Sequence, residues 1–407
     1  MTFIEWKVRG RTSRSPRPRT TMSAGRSSPS SKTGRLSVAS EDRAIDSDAD
    51  STDVVLFDTP VFAEDVARIA AAELPWEKFR KAEILVTGAS GMIPMYIVGS
   101  LLAANDVYDL GLHVTGMVRN LTKAEKRFGT ALDRSDFTLL AGDVIDTRRF
   151  ERKFSTVFHG ASPARPSLHK SSPVTTLKAN TLGTINLLDA LVEAGGRSFD
   201  LLSSSEVYGA VAGSGLIGED DEGTLQHFAP RASYSEGKRI AETALAAYAD
   251  EFGIRGLSLR FGHIYGPGMA LDDGRVQADF LADVVRGRNV RMMSAGAATR
   301  TYTYVADAVE GLFFAHLLGE EQVYNVADPS GNISIRELAE AFAGARPEMK
   351  LELDFANPED GRAFSPVASL GLDSRRLKKL GWDAKTSLSE GVSRTIRSFE
   401  DGPLVRR

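Results

Sequence analysis

The chain contains no cysteine. Disulfides, thiolate zinc sites and cysteine nucleophiles are therefore excluded, and the absence is compatible with a reducing cytoplasm, where we expect the protein. No stretch approaches the ~18 consecutive apolar residues that a membrane-spanning helix needs, so no membrane partner is expected. The six histidines are scattered, without the close pairing of a histidine metal site, and no metal is expected. An excess of one charge is also lacking. Fifty Lys and Arg stand against 54 Asp and Glu, a net charge of −4 that gives no general reason to expect nucleic acid. What is left is an ordinary composition, 42% hydrophobic and 26% charged, in a 407-residue chain that suits two domains or one large α/β domain carrying a lobe.

The start of the chain is unlike the middle. Residues 1–40 hold nine Lys or Arg and a single acid, Glu5, among many Ser, Pro and Thr, and "EDRAIDSDADSTD" follows. Such a segment cannot bury enough apolar surface to offset its ordering entropy, so residues 1–55 are predicted to be a disordered extension. The Arg- and Ser-rich composition also fits a transit peptide, a basic interaction tail, or translation beginning at Met22. Residues 56–80 read as a preface helix ending near Pro75.

From residue 81 the pattern alternates. Ile84–Thr87, "ILVT", is a buried strand running into a glycine turn, and the helix "MYIVGSLLAAND" follows. Strand "LHVTGMVR", helix "LTKAEKRFGTAL", strands "FTLLAGDV" and "VFHGAS", one long helix "VTTLKANTLGTINLLDALVEAG", strand "FDLLSSS", helix "YSEGKRIAETALAAYADEFG" and strand "IRGLSLRFG" complete the series. Strands alternating with helices of this length predict βαβ units and a parallel sheet with both faces covered. The fold class is therefore α/β: a Rossmann-type, doubly wound parallel sheet over 81–266. A smaller lobe over 267–395 partly returns to the sheet, and a tail covers 396–407.

"TGASGMIP" sets Gly88 and Gly91 between strand and helix. The first glycine permits a tight turn and the second lets backbone approach a pyrophosphate, whose charge sits at a helix N-terminus. Ser90, Met92 and Ile93 belong to the same turn, and Pro94 stands where a third glycine is usual. An ordinary strand–turn–helix uses glycines in the same way, so the signal is weak alone. In "GDV", Asp143 and Val144 are candidates for the adenine, although a turn aspartate looks the same. The second strand ends in Arg119 rather than an acid, which leaves NADP open beside NAD.

"YSEGK" puts Tyr234 and Lys238 four apart, on one face of a helix. A phenol titrating near ~10 is a poor base at neutral pH, and a cation one turn away is expected to lower that value and make the pair a proton acceptor for an alcohol. Helical surfaces carry such pairs by chance. The dinucleotide turn upstream and the serine-rich strand end "SSSEVYG" between them make the combination specific.

These blocks, with "NTLGTINLL" and "LRFGHIYGPG", resemble the extended short-chain dehydrogenase/reductases that act on nucleotide sugars, the NAD-dependent epimerase/dehydratase family. Within it, "ASPARP", "PVTTLKANTLGT", "SSSEVYG", "PRASYSEGKRIAET", "DDGRV" and "TRTYTYVADAVEGL" are most like the UDP-glucuronate decarboxylases. The resemblance covers some three quarters of the chain. It implies tightly held NAD, a C-terminal sugar-nucleotide lobe and a homodimer. It also implies Ser204, Tyr234 and Lys238 as the catalytic set, with Lys238 and Asn180 also near the nicotinamide. Ser205 and Glu206 fall where dehydratases carry an aspartate and a glutamate and decarboxylases a serine and a glutamate. Arg275 and Arg300 resemble positions that meet the pyrophosphate or the sugar acid. His263 stands where the family has a substrate-touching asparagine, Ser162 replaces a small apolar residue near the cofactor, and the missing acid and Pro94 are further departures. The expected activity is decarboxylation of a UDP-glucuronate-like sugar nucleotide through transient C4 oxidation. The alternatives are a 4-epimerase, a 4,6-dehydratase, or a non-catalytic NAD(P)-binding regulator.

Overall fold

The structure is a computed structural model that describes residues 55–213, 215–355 and 369–401. The expectations for residues 1–54, including disorder and targeting, lie outside them.

Helix α1 (Pro60–Ala70) begins where Thr59 accepts the Phe62 amide and Pro60 fills the first helical position. It buries Phe62, Val66 and Ile69. The helix expected to reach Pro75 stops at Ala70, and a separate 3-10 turn, Trp76–Phe79, follows Pro75, with Trp76 and Phe79 buried. The core strands and helices then alternate: β1 (Glu83–Thr87), α2 (Met92–Tyr108), β2 (His113–Val118), α3 (Leu121–Phe128), β3 (Phe137–Ala141) and β4 (Thr156–His159). They continue through α4 (Pro166–Ser171), α5 (Pro173–Asn180), α6 (Leu182–Glu193), β5 (Ser198–Ser204), α7 (Ala232–Phe252) and β6 (Arg255–Phe261). The lobe adds β7 (His263–Tyr265), α8 (Val276–Val285), β8 (Val290–Met292) and β9 (Thr299–Tyr304), and α9 (Val305–Leu318) leads into β10 (Val323–Val326).

Seven strands form one parallel sheet in the order β10-β6-β5-β4-β1-β2-β3. The chain winds outward from β1 to β3, then restarts at β4 on the other side of β1. The order thus reverses between β1 and β4, which opens a crevice beyond their carboxyl ends. Strands β1 and β4–β6 are almost wholly buried, whereas β3 lies at the sheet edge and exposes Thr138, Leu140 and Ala141. In the lobe, β9 pairs with β7 and with Asn332–Ser334, which sets His263 opposite Tyr302.

Several expected elements are shorter or broken. The helix predicted over 121–132 ends at Phe128, because Gly129 takes φ 48° and starts a 3-10 turn. The single long helix predicted over 174–195 is two, α5 and α6, meeting at Thr181. Around the break Thr176, Thr181 and Thr184 donate to the carbonyls four residues back, a bonding pattern that bends helices. The expected tail from residue 396 is still helical. The last helix, Leu388–Glu400, buries Ile396 and Ser398.

Candidate active site

The turn after β1 is built by two constraints. Gly88 has φ 65°, and a Cβ there would lie 2.9 Å from the Ala161 backbone. No other residue fits without moving β4's exit. The Gly91 amide donates to the Gly88 carbonyl at 2.8 Å and closes the turn, and Gly91 is the N-cap of α2 without any side-chain cap. Ser90, Gly91, Met92 and Ile93 are half-buried at this helix start. Unpaired amides and the positive end of the helix dipole make a cradle that fits a pyrophosphate. Pro94 does not loosen the packing. Its ring lies where a Cβ on Gly160 would come within 2.7 Å, so the glycine that allows close helix–strand contact has moved to the end of β4.

The adenosine candidates are less organised. Arg119 is exposed at the end of β2. Asp143 accepts from the Ile145 amide at 3.0 Å, and the Val144 carbonyl accepts from Asn186 at 3.2 Å. Below the crevice, His159 bridges Thr87 of β1 at 2.8 Å and Thr184 of α6 at 3.2 Å. Burial, with Lys238 nearby, pushes its imidazole down to about 3, so it is a neutral strut.

The three serines at the end of β5 have separate environments. Ser203 donates to Glu242 of α7, which also receives Ser258 at 2.8 Å and Arg260 at 2.7 Å, a knot tying β5 and β6 to α7. Ser204 points into the crevice. Its oxygen accepts the Glu206 amide at 3.2 Å, and its hydroxyl lies close enough to the Tyr234 phenol to favour its ionised form. Ser205 begins a 3-10 turn and is buried. Glu206 is held by Ser235, which donates at 2.9 Å, with the Arg231 guanidinium at 3.8 Å.

Tyr234 and Lys238 both lie on the buried face of α7 and reach this strand end, but their electrostatics differ from expectation. Burial and the Glu206 carboxylate push the phenol up to about 12, while Ser204 and Arg275 oppose the rise. Lys238, whose Nζ donates to the Leu202 carbonyl at 2.7 Å, is not among the groups that shift it. Burial lowers the ammonium itself to about 8, with Glu242 acting against that shift. The expected cation-assisted phenol is therefore absent among the described residues. Asn180 is also engaged internally: Ser162 donates to its Oδ1 at 2.9 Å, and its amide donates to the Thr176 carbonyl at 2.9 Å.

On the lobe side, Arg275 is paired with Asp273 at 2.8 Å and lies close enough to influence both Tyr234 and His263. His263 packs its ring 5.6 Å from that of Tyr302, and burial with Arg300 and Arg275 lowers it to about 3. Its Nδ1 is buried without a hydrogen-bond partner, as is the Tyr302 hydroxyl. Arg300, two residues before Tyr302 on the same face of β9, donates to the Thr299 carbonyl at 2.6 Å. One residue escaped the sequence reading altogether. His169 of α4 is 2% exposed, and its ring stacks on Tyr234 at 4.4 Å with an interplanar angle of 12°. Its six-residue helix carries no readable periodicity. Among the described residues no group of three or more His, Asp or Glu is disposed to hold a metal, and no helix is long and apolar enough to cross a membrane.

A glycine turn at a helix N-terminus, a half-buried serine beside a buried tyrosine, and a lysine thus meet at the carboxyl edge of a Rossmann sheet. Residues 84–327 match the model of the family described as NAD dependent epimerase/dehydratase family. The chain belongs to this family. Among curated relatives it is 33% identical to UDP-glucuronic acid decarboxylase 6 of Arabidopsis thaliana over 76% of this chain and 86% of the relative. It is 32% identical to UDP-glucuronic acid decarboxylase 1 of Xenopus tropicalis over 79% and 73%. Among solved structures, UDP-glucose 4-epimerase of Thermus thermophilus, in complex with NAD, superimposes with a TM-score of 0.65 at 27% identity, covering 78% of this chain and 99% of that one.

Proposed function

We propose that this family member decarboxylates a UDP-glucuronate-like sugar nucleotide and keeps its NAD bound through the turnover. The observation that carries the reading is the convergence of Ser204, Tyr234 and Lys238 at the end of β5, with Ser205 and Glu206 next in the chain. The decarboxylases among the relatives support the reaction, and the NAD in the Thermus epimerase supports the cofactor. The Gly88–Ile93 turn would hold the pyrophosphate, Asp143 and Val144 the adenine, and Arg119 the adenosine ribose. Lys238 would meet the nicotinamide ribose, and Asn180, already engaged with Ser162, would shape the wall beside it.

When bound, the nicotinamide supplies a transient two-electron oxidation at sugar C4, which sets a ketone β to the C6 carboxylate and lets carbon dioxide leave. The chain's own residues handle protons and orientation. Ser204 aligns the C4 hydroxyl with Tyr234, which takes its proton. Without cofactor the protein holds that phenol high, and the positive charge of a bound nicotinamide would favour the phenolate that accepts the proton. Loss of carbon dioxide needs no acid to expel a hydroxyl, which suits Ser205 in a place where an aspartate would serve dehydration. Glu206, oriented by Ser235 and Arg231, would deliver the C5 proton directly or through water. Arg275, Arg300 and His263 would receive the diphosphate or the sugar acid.

Incubation with UDP-glucuronate should release carbon dioxide and form a UDP-pentose. Tyr234→Phe should lose about 10²- to 10⁴-fold in rate while retaining cofactor. The second reading, a 4-epimerase, is favoured by the Thermus structure, and C4 interconversion without carbon dioxide would install it instead. A 4-keto-6-deoxy product from a nucleotide hexose would point to dehydration. The reading includes a homodimer. Val174, Leu177 and Ile240 are exposed on α5 and α7, which pack together and would offer a second copy an apolar face. Sedimentation tests it.

A further inference from the structure

We propose that α4 is a positioning element for the reaction, with His169 as the wall that fixes the Tyr234 phenol. The inference rests on Tyr234 as the proton acceptor of the reading above.

The imidazole is fixed in three ways. It lies flat on the phenol, 4.4 Å between centroids and 12° from parallel. Its Nε2 is 2.9 Å from the Pro163 carbonyl, and a carbonyl oxygen only accepts, so Nε2 carries the proton. Its Nδ1 is buried without a hydrogen-bond partner. A buried acceptor left unpaired is destabilising, so the fold tolerates a loss at this position while gaining a rigid flat ring against the phenol. Burial lowers the ring's affinity for a second proton, with Arg231 and Arg275 adding to that and Glu206 opposing it. The neutral Nε2–H tautomer is the consistent assignment.

The helix that carries this ring is pinned from outside. Pro166 occupies its first turn, and the preceding Arg165 makes a two-pronged ion pair with Asp272 of the lobe at 2.9 and 3.0 Å. Asp272 adjoins Asp273, the partner of Arg275. The two walls of the site, one bearing His169 and the other Arg275, are therefore clasped together across Tyr234. A phenol stacked on a ring held in this way has little freedom to tilt its oxygen off Ser204, and small misplacements of a proton acceptor are costly.

The test uses two variants of the intact protein and two readouts. His169→Ala removes the wall, and His169→Phe replaces it with a flat ring that lacks the carbonyl bond. With UDP-glucuronate, the alanine variant should lose about 10- to 100-fold in kcat with KM and bound cofactor unchanged, and the phenylalanine variant should recover most of that loss. The second readout needs no substrate. By carbon NMR of ring-labelled tyrosine in protein freed of cofactor, Tyr234 should stay un-ionised in wild type and in the phenylalanine variant at about pH 10, where the alanine variant begins to titrate. An alanine variant with wild-type kcat and wild-type titration overturns the proposal, as does a phenylalanine variant as impaired as alanine in both. If wild type does not turn over UDP-glucuronate, the decarboxylase reading fails, and the titration still decides the role of His169.

Discussion

Within "SSSEVYG" three adjacent serines do three different things. Ser203 anchors α7 through Glu242, Ser204 faces Tyr234, and Ser205 opens the turn that brings Glu206 round. Alternation along a strand explains part of this, since Ser203 and Ser204 must point to opposite faces. Lys238 illustrates the energetic cost of such a site. Its ammonium is 3% exposed and titrates at about 8 instead of 10.5. Between those values the unfolded chain binds more protons than the native one, so this lysine's contribution to stability rises with pH across that window and is at its most unfavourable below pH 8. Lys238→Met should therefore raise the free energy of unfolding at neutral pH, by up to roughly 3 kcal/mol, while abolishing turnover. A lowered midpoint in urea would mean that the bond to the Leu202 carbonyl outweighs burial.

At the scale of elements, the site depends on how closely α7 approaches α5. Gly237, within "YSEGK", lies against Asn180, and a Cβ there would sit 3.0 Å from the Asn180 Cβ. Gly237→Ala should push the helices apart by a few tenths of an ångström and carry Tyr234 and Lys238 with them. We expect a loss of activity larger than the loss of stability, which is about 1–3 kcal/mol for overpacking of this kind. Equal wild-type and variant rates would show that the contact has slack. A motif reading names Tyr234 and Lys238 and leaves this glycine as a spacer. The contact that gives it meaning comes from a helix more than fifty residues away in the chain, invisible to any local pattern. The same holds for Pro94 and Gly160, where a departure from the three-glycine turn is matched by a glycine just past the end of another strand.

Over the whole molecule, the ends of the described chain are locked onto the lobe through one buried carboxylate. Asp65 of α1 receives Tyr96 at 2.8 Å, Tyr304 at 2.6 Å and Arg394 of the last helix at 2.7 Å. Burial raises its carboxyl above the usual range, against which the tyrosines and Arg394 act. Removing the cation strands a buried charge, so Arg394→Met should cost about 3–5 kcal/mol in chemical denaturation. Asp65→Asn in the same background should return part of it, and simple addition of the two losses would deny the coupling. Because Tyr304 leads directly into α9 and ends β9, the strand of Arg300, this knot also holds the lobe side of the site in place.

The alternation of apolar strands and helices, the glycine turn and the Tyr–Lys spacing are local signals, and by themselves they determined a Rossmann-type sheet; the family, and with it the candidate catalytic side chains, came from a resemblance carried by several separate blocks. The local signals work because each depends on neighbours a few residues away: period two for a strand, one turn for a helix, a single left-handed glycine for a turn. The tertiary structure alone decided which carbonyl Lys238 faces, that burial raises Tyr234 rather than a lysine lowering it, and that a histidine from an unremarked short helix lies against the phenol. These follow from the dielectric and the contacts made when distant segments meet, and no sequence spacing encodes them.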